Sequence, residues 1–241
     1  MINLLNSLTN KFMPTQAQEK FKQNSLKQNA AQAALNYMQE QLNNKTVIGI
    51  GTGTTVNSFI DLLDHKKYKF HAVVASSKAS AAKLRKLHFD PVEPNQVSKI
   101  DLYIDGMDEI NAHKQMIKGG GGALTGEKLL ASMADEFIAI GDDSKLVDCL
   151  GNFPIALEVI PIARSFVARE IVKLGGDPVY RAGFITDYGN MILDVYNLQI
   201  SLAEQLENDL NQIPGLVTNG IFAKRRADKV FISSVDGTQA F

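Results

Sequence analysis

Apolar positions along the chain fall into two kinds of segment, stretches with helical spacing and short unbroken runs, and the two kinds alternate. Leu26, Ala30, Ala33, Ala34, Tyr37 and Met38 share one stripe of a helix, with Ser25 placed as its N-cap. The run 46–50 reads as a buried strand and ends in Gly51-Thr52-Gly53-Thr54-Thr55, after which Val56, Phe59, Ile60 and Leu63 resume helical spacing. The same strand, turn and helix recur at 72–75 with a helix over 78–87, and at 102–104 with a loop and a helix over 123–133, before a further apolar run at 137–140. This alternation predicts an α/β fold, a Rossmann-like parallel sheet covered by helices. Beyond Gly151, strands at 156–159, 179–181 and 191–195 and helices over 161–174 and 202–212 predict a second, smaller α+β unit of ferredoxin-like order. Pro214-Gly215 closes that unit, and 217–222 and 230–233 read as strands, at least one rejoining the first sheet.

The expected organisation is therefore threefold. Residues 1–24 are rich in Asn and Gln, contain Pro14, show no sustained period, and read as a disordered extension outside the fold. Residues 25–150 form the main α/β domain, with 217–241 returning to it. Residues 151–216 form the smaller domain, suited to subunit contacts.

Charge and composition narrow the partners. With 25 Lys+Arg against 26 Asp+Glu, the chain has no overall basic field to hold nucleic acid or an anionic membrane, so a small molecule is the expected partner. Its single cysteine, Cys149, excludes an internal disulfide and has no Cys/His cluster near it to suggest zinc. No apolar run reaches the ~20 residues of a membrane span, and Asn3, Asn6 and Asn10 interrupt any signal-peptide core. The expected compartment is the cytoplasm.

In a parallel sheet, ligands sit at the carboxyl ends of the strands. Four polar clusters occupy that position: 52–55, Ser76-Ser77, 105–109 and 142–145. The glycine turn at 51–55 offers close backbone approach, three hydroxyls and a helix N-terminus, which suit a phosphate dianion. Position 56 is Val, so a dinucleotide fingerprint starting at Gly51 fails. Asp105-Gly106-Met107-Asp108-Glu109 sets two aspartates at a strand end, where they could exchange protons with substrate hydroxyls. With His113 four residues beyond Glu109 a metal site is a further reading, and acidic helix capping is another.

The run Met116-Ile117-Lys118-Gly119-Gly120-Gly121-Gly122-Ala123-Leu124-Thr125-Gly126-Glu127-Lys128 is the most informative stretch. Consecutive glycines give up backbone entropy and offer no side chain to pack, so such a run lets N–H groups approach an anion. It is not a Walker A loop: position 127 is Glu, and Lys128 is followed by Leu129 where a hydroxyl residue is needed. What remains is an ammonium, an amide cradle and a carboxylate at a helix start. That combination fits removal of a proton next to a carbonyl, with the cradle holding the enediolate oxygen.

These motifs, together with Gly49-Ile50 before the turn, Asp142-Asp143-Ser144-Lys145, Thr186-Asp187-Tyr188-Gly189-Asn190 and Pro214-Gly215-Leu216-Val217-Thr218, resemble those of ribose-5-phosphate isomerase type A, in the same order. The likeness covers nearly everything from Ser25 onward. It implies interconversion of ribose 5-phosphate and ribulose 5-phosphate through an enediolate, without metal or organic cofactor, in a homodimer or homotetramer. It matches Glu127 to the general base, Asp105 and Asp108 to carboxylates of ring opening and hydroxyl proton transfer, and Lys118 with the amides of Gly119, Gly120 and Gly121 to the anion loop, leaving open whether Lys118 serves oxyanion or phosphate. Thr52, Gly53, Thr54, Thr55, Gly106, Met107 and Lys145 match substrate-binding positions, and Lys27 adds charge at the phosphate. Three residues depart from the family pattern: Gly126 where Arg is usual, Met107 where a small residue is usual, and Tyr188 where Asn is usual. Two rival functions are a non-catalytic sugar-phosphate sensor and an acyl or coenzyme-A transferase with Glu127 as nucleophile.

Overall fold

A computed structural model describes residues 16–241 of the protein. In chain order, helix α1 (Gln16–Gln39) is followed by β1 (Val47–Ile50), α2 (Thr54–Leu62), β2 (Ala72–Ala75), α3 (Lys78–Lys86) and β3 (Ile100–Asp105). Two short strands, β4 (Glu109–Ile110) and β5 (Met116–Ile117), lead to α4 (Leu124–Met133) and β6 (Ala134–Asp142). Next come β7 (Ile155–Val159), α5 (Arg164–Lys173), β8 (Asp177–Tyr180), β9 (Met191–Tyr196), α6 (Ala203–Asn211) and β10 (Leu216–Asn219). Last are β11 (Ile221–Phe222), β12 (Lys229–Ser234) and β13 (Gly237–Ala240).

The main sheet has the order β13-β12-β6-β3-β1-β2, with every pair parallel except the antiparallel edge pair β12 and β13. Without β13 its strands follow the doubly wound order 2-1-3-4-5, whose direction reverses between β1 and β3, the place where such sheets open a ligand crevice. Alternate side chains go to opposite faces. Ile48, Ile50, Leu102, Ile104, Ile138 and Ile140 pack with Ala30, Ala34 and Leu35 of α1, Phe59 and Ile60 of α2 and Leu84 of α3. Tyr103, Phe137 and Ala139 pack on the other face with Leu130 and Ala131 of α4 and with Phe222. The four-stranded sheet, β10-β7-β9-β8, is antiparallel throughout and built from a β-α-β-β-α-β sequence, the ferredoxin-like arrangement. A third sheet, β11-β5-β4, takes two strands from the connection between β3 and β6 and one from the connection between β10 and β12.

Three sequence expectations shift. The first helix begins at Gln16, so Ser25 lies inside it and caps nothing, and residues 16–24 continue α1. Side chains 18–25 are exposed, which is why no apolar period marked this segment. Residues 1–15 lie outside the described residues. The run 217–222 is two strands: β10 stays in the four-stranded sheet and β11 joins β5, so the chain regains the main sheet only at Lys229. The break falls at Gly220, where a Cβ would stand 2.2 Å from the Lys118 carbonyl oxygen.

Candidate active site

Two glycines in and beyond β1 clear the ground for the site. A Cβ at Gly49 would lie 2.8 Å from the Tyr103 ring, and one at Gly51 would lie 2.0 Å from the Asp105 carboxyl group. Tyr103 and Asp105 are two residues apart on β3 and therefore share a face. Asp105 is 0% exposed and accepts four hydrogen bonds. Its Oδ1 takes Thr52 N at 3.0 Å and Gly106 N at 2.7 Å, and its Oδ2 takes the Tyr103 hydroxyl at 2.5 Å and Lys118 Nζ at 2.8 Å.

Lys118 follows β5 and sends its buried ammonium into this cluster, where it also donates to Gly106 O at 2.5 Å and stands 3.3 Å from Glu127 Oε2. Burial alone would lower its pKa. The Asp105 and Glu127 carboxylates outweigh burial and hold it above the ordinary lysine value, so it is a cation. Glu127 occupies the first turn of α4. Burial above all, with the Asp105 charge adding and Lys118 opposing, pushes its carboxyl up to about 8. Its Oε2 is buried and makes no hydrogen bond among the described residues, and the charged group beside it is the Lys118 ammonium.

These groups border a cavity of about 120 Å³, small beside the ~300–1,000 Å³ of drug-sized pockets and suited to a compact metabolite. Asp108, Lys118, Gly119, Gly121 and Glu127 line it on one side. The N-terminus of α2 supplies Gly53, Thr54 and Thr55. Gly53 has φ 118° and no side chain caps the helix, so the first amides of α2 are free of intrahelical acceptors and could receive an anion. Lys27 from α1 and Lys145 from the turn after β6 bring two ammonium groups, and Thr52, Gly106 and Met107 complete the lining.

Two matched residues do not reach the cavity. Asp105 sits behind Lys118, its oxygens all engaged. Gly120 gives its N–H to Asp108 Oδ2 at 2.8 Å, which orients that aspartate, and its carbonyl faces away. Thr52 does line the cavity, but its amide binds Asp105 and its hydroxyl joins Ser76 and Ser77 at 2.8 Å each.

Glu109 is neither a metal ligand nor a helix cap. It lies in β4 and accepts from Gly151 N at 2.7 Å and Phe153 N at 2.6 Å, pinning the loop after β6. Among the described residues no three His, Cys, Asp or Glu side chains are grouped to hold a metal ion.

Sequence reasoning missed the supports of the glycine loop. Arg181, at the end of β8, pairs through Nε and Nη2 with Asp194 at 2.8 and 2.5 Å. It also donates from Nη1 to Gly120 O at 3.2 Å and to Gly119 O at 3.3 Å. These bonds, with Gly122 N to Gly119 O at 2.9 Å, fix the course of the loop beside the cavity. Thr125, in the first turn of α4, donates to the buried Glu158 at 2.5 Å, which also accepts from Thr186 and Asn190 at 2.8 Å each. Nothing in the spacing of the chain marks either partnership, because each joins residues brought together only by the second sheet.

Gly126 has a steric reason. A Cβ there would stand 2.1 Å from the Ser76 carbonyl oxygen and 2.9 Å from the Tyr188 hydroxyl. The two departures at 126 and 188 thus share one small volume.

A family model for ribose 5-phosphate isomerase A (phosphoriboisomerase A) matches residues 72–237, and one for a sugar-binding domain matches 9–92. Ribose-5-phosphate isomerase A of Legionella pneumophila (strain Lens) is 57% identical over 212 residues, 88% of this chain and 96% of that protein. The crystal structure of ribose 5 phosphate isomerase A from Neisseria gonorrhoeae superposes with a TM-score of 0.87 at 41% identity, covering 91% of this chain and 96% of that one. A D-ribose-5-phosphate isomerase solved in complex with phospho-erythronic acid does so with a TM-score of 0.84 at 33% identity, covering 90% and 97%.

Proposed function

This chain belongs to the ribose 5-phosphate isomerase A family and is an isomerase of ribose 5-phosphate and ribulose 5-phosphate, and from that premise we propose which of its groups perform the reaction. The observation that carries the reading is the pair Lys118 and Glu127, a cation and a carboxyl group 3.3 Å apart, both buried and both lining one cavity.

Glu127 removes the proton from C2 of the open-chain aldose. The C2–H electrons form the C1–C2 double bond, and the C1 carbonyl takes up the negative charge. Lys118 and the N–H groups of Gly119 and Gly121 receive that charge, since an ammonium already beside the base is on the oxyanion side of the cavity. Asp108 moves the hydroxyl proton between O2 and O1, Glu127 returns its proton to C1, and the ketose results with no net gain or loss of atoms. Asp105 holds Lys118 in place. The phosphate takes the N-terminus of α2, with Thr54 and Thr55 donating and Lys27 and Lys145 balancing its charge.

The rivals are not favoured. The relatives this chain matches are isomerases and not coenzyme-A transferases, and a sensor has no use for a base poised beside a cation. A cytoplasmic enzyme is consistent with one exposed cysteine, and among the described residues no helix is long and apolar enough to cross a membrane. A homodimer or homotetramer is supported by Ile162, 92% exposed, with Phe166 and Val217 also exposed on the four-stranded sheet's unit.

The test is the conversion of ribose 5-phosphate followed with and without a chelator, beside Glu127→Gln. Turnover unaffected by chelator and a variant that binds phospho-erythronic acid with kcat lowered on the order of 10²–10⁴ are expected. Full activity in Glu127→Gln overturns the assignment.

A further inference from the structure

We infer that Tyr103, which touches no cavity, is a positioning residue of the reaction: its phenol shares Asp105 Oδ2 with the Lys118 ammonium and so fixes how that ammonium divides between Asp105 and Glu127. The inference rests on the assignment of Glu127 as the base.

The geometry is specific. Tyr103 OH donates to Asp105 Oδ2 at 2.5 Å, and Lys118 Nζ approaches the same oxygen at 2.8 Å while lying 3.3 Å from Glu127 Oε2. One oxygen thus answers two donors, and one donor answers two carboxylates. Tyr103 is 0% exposed, and its ring packs against Phe137 with centroids 5.0 Å apart, so the hydroxyl is held in place. The main sheet gives up a side chain to admit that ring, because Gly49 is its register partner on β1 and a Cβ there would stand 2.8 Å from the ring. A phenylalanine would fill the same space. What the hydroxyl adds is a hydrogen bond to a buried carboxylate.

The consequence has a sign. The charged and titratable groups facing Glu127 are Asp105 and Tyr103 from β3, Lys118 immediately after β5 and Asp108 from the loop between β3 and β4. Without the phenol, Asp105 Oδ2 becomes a stronger acceptor and draws the ammonium toward itself. Glu127 then loses part of its one neighbouring cation, and its carboxylate becomes harder to form.

The experiment is the pH profile of kcat/KM for Tyr103→Phe in the full chain. The acid limb moves to higher pH by about half a unit or more, kcat near neutrality falls on the order of 3–30-fold, and KM is nearly unchanged. Tyr37→Phe, which removes a phenol bonded at 2.6 Å to Glu136 on the same sheet, leaves the limb in place. Site-specific 3,5-difluorotyrosine at 103, a stronger donor, moves the limb the other way and serves if Tyr103→Phe does not fold. A limb unmoved by either replacement at 103, or moved downward by Tyr103→Phe, overturns the inference. Neither result touches the base assignment, which Glu127→Gln tests separately and which fails if that variant keeps its turnover.

Discussion

Lys118 Nζ stands 2.8 Å from Asp105 Oδ2, and both groups are almost wholly removed from water. A buried ion pair contributes little net stability, because desolvating two charges offsets their attraction, but removing one partner leaves the other uncompensated. Here two carboxylates depend on the single ammonium.

Lys118→Met is therefore expected to lose both stability and activity. Breaking a buried pair costs roughly 3–5 kcal/mol, and the oxyanion loses its cation. Denaturant unfolding and kcat measured together check this. Asp105→Asn should be milder in unfolding, since the amide still accepts at one oxygen, yet it should lower kcat because Lys118 is no longer drawn to its place.

As the proposed base, Glu127 sets the expected pH dependence. A base must be ionised, and its carboxyl is pushed up to about 8 in the free enzyme. The plot of log kcat/KM should rise with unit slope below that pH and level off above it. A flat profile from pH 6 to 8 would sink the assignment of this carboxyl as the base. Stability runs in the opposite sense. The folded-state pKa lies above the unfolded one, so the Glu127 contribution is complete below the ordinary carboxylate value and is lost as pH rises through about 8. Glu127→Gln is insensitive to that change, so its melting temperature should gain on the parent between pH 5 and 9.

The sheet and the residues of the candidate site were legible in the chain for one reason: parallel strands buried on both faces are short apolar runs, and their polar ends name themselves. The strand at 72–75 coincides with β2, and Lys118, Asp108 and Glu127 share the cavity. What was illegible had no period to show it. Strands β4, β5 and β11 have two residues each, and side chains 18–25 of α1 are exposed. Motif spacing likewise cannot tell which way a residue faces. Gly120 sits inside the glycine run yet turns its amide to Asp108, and Asp105, three residues before Asp108, lies behind the lysine.

Arg181 offers a test of the loop's support. Arg181→Met removes the donors to Gly119 O and Gly120 O and strands Asp194 at 16% side-chain exposure. The glycine amides lose their fixed direction, and kcat/KM should fall by about 10–100-fold. Arg181→Lys should recover little, because one ammonium cannot satisfy a carboxylate fork and two carbonyls together. Measuring kcat/KM for both variants decides it: full rescue by lysine would mean that charge alone matters.

Gly126→Ala sets two effects against each other. Alanine gains roughly 1 kcal/mol of helix propensity over glycine inside α4. Its Cβ would stand 2.1 Å from the Ser76 carbonyl oxygen, a backbone atom at the end of β2 that cannot swing aside. Overpacking of this kind costs about 1–3 kcal/mol or more, so the clash wins and α4 must shift. Because Glu127 is the next residue, the shift moves the base. The variant should melt below the parent and lose kcat more than it raises KM. Tyr188→Phe relieves only the 2.9 Å contact and should not rescue it. A Gly126→Ala enzyme as stable and as fast as the parent would show that the approach of α4 to Ser76 does not set the position of the carboxylate.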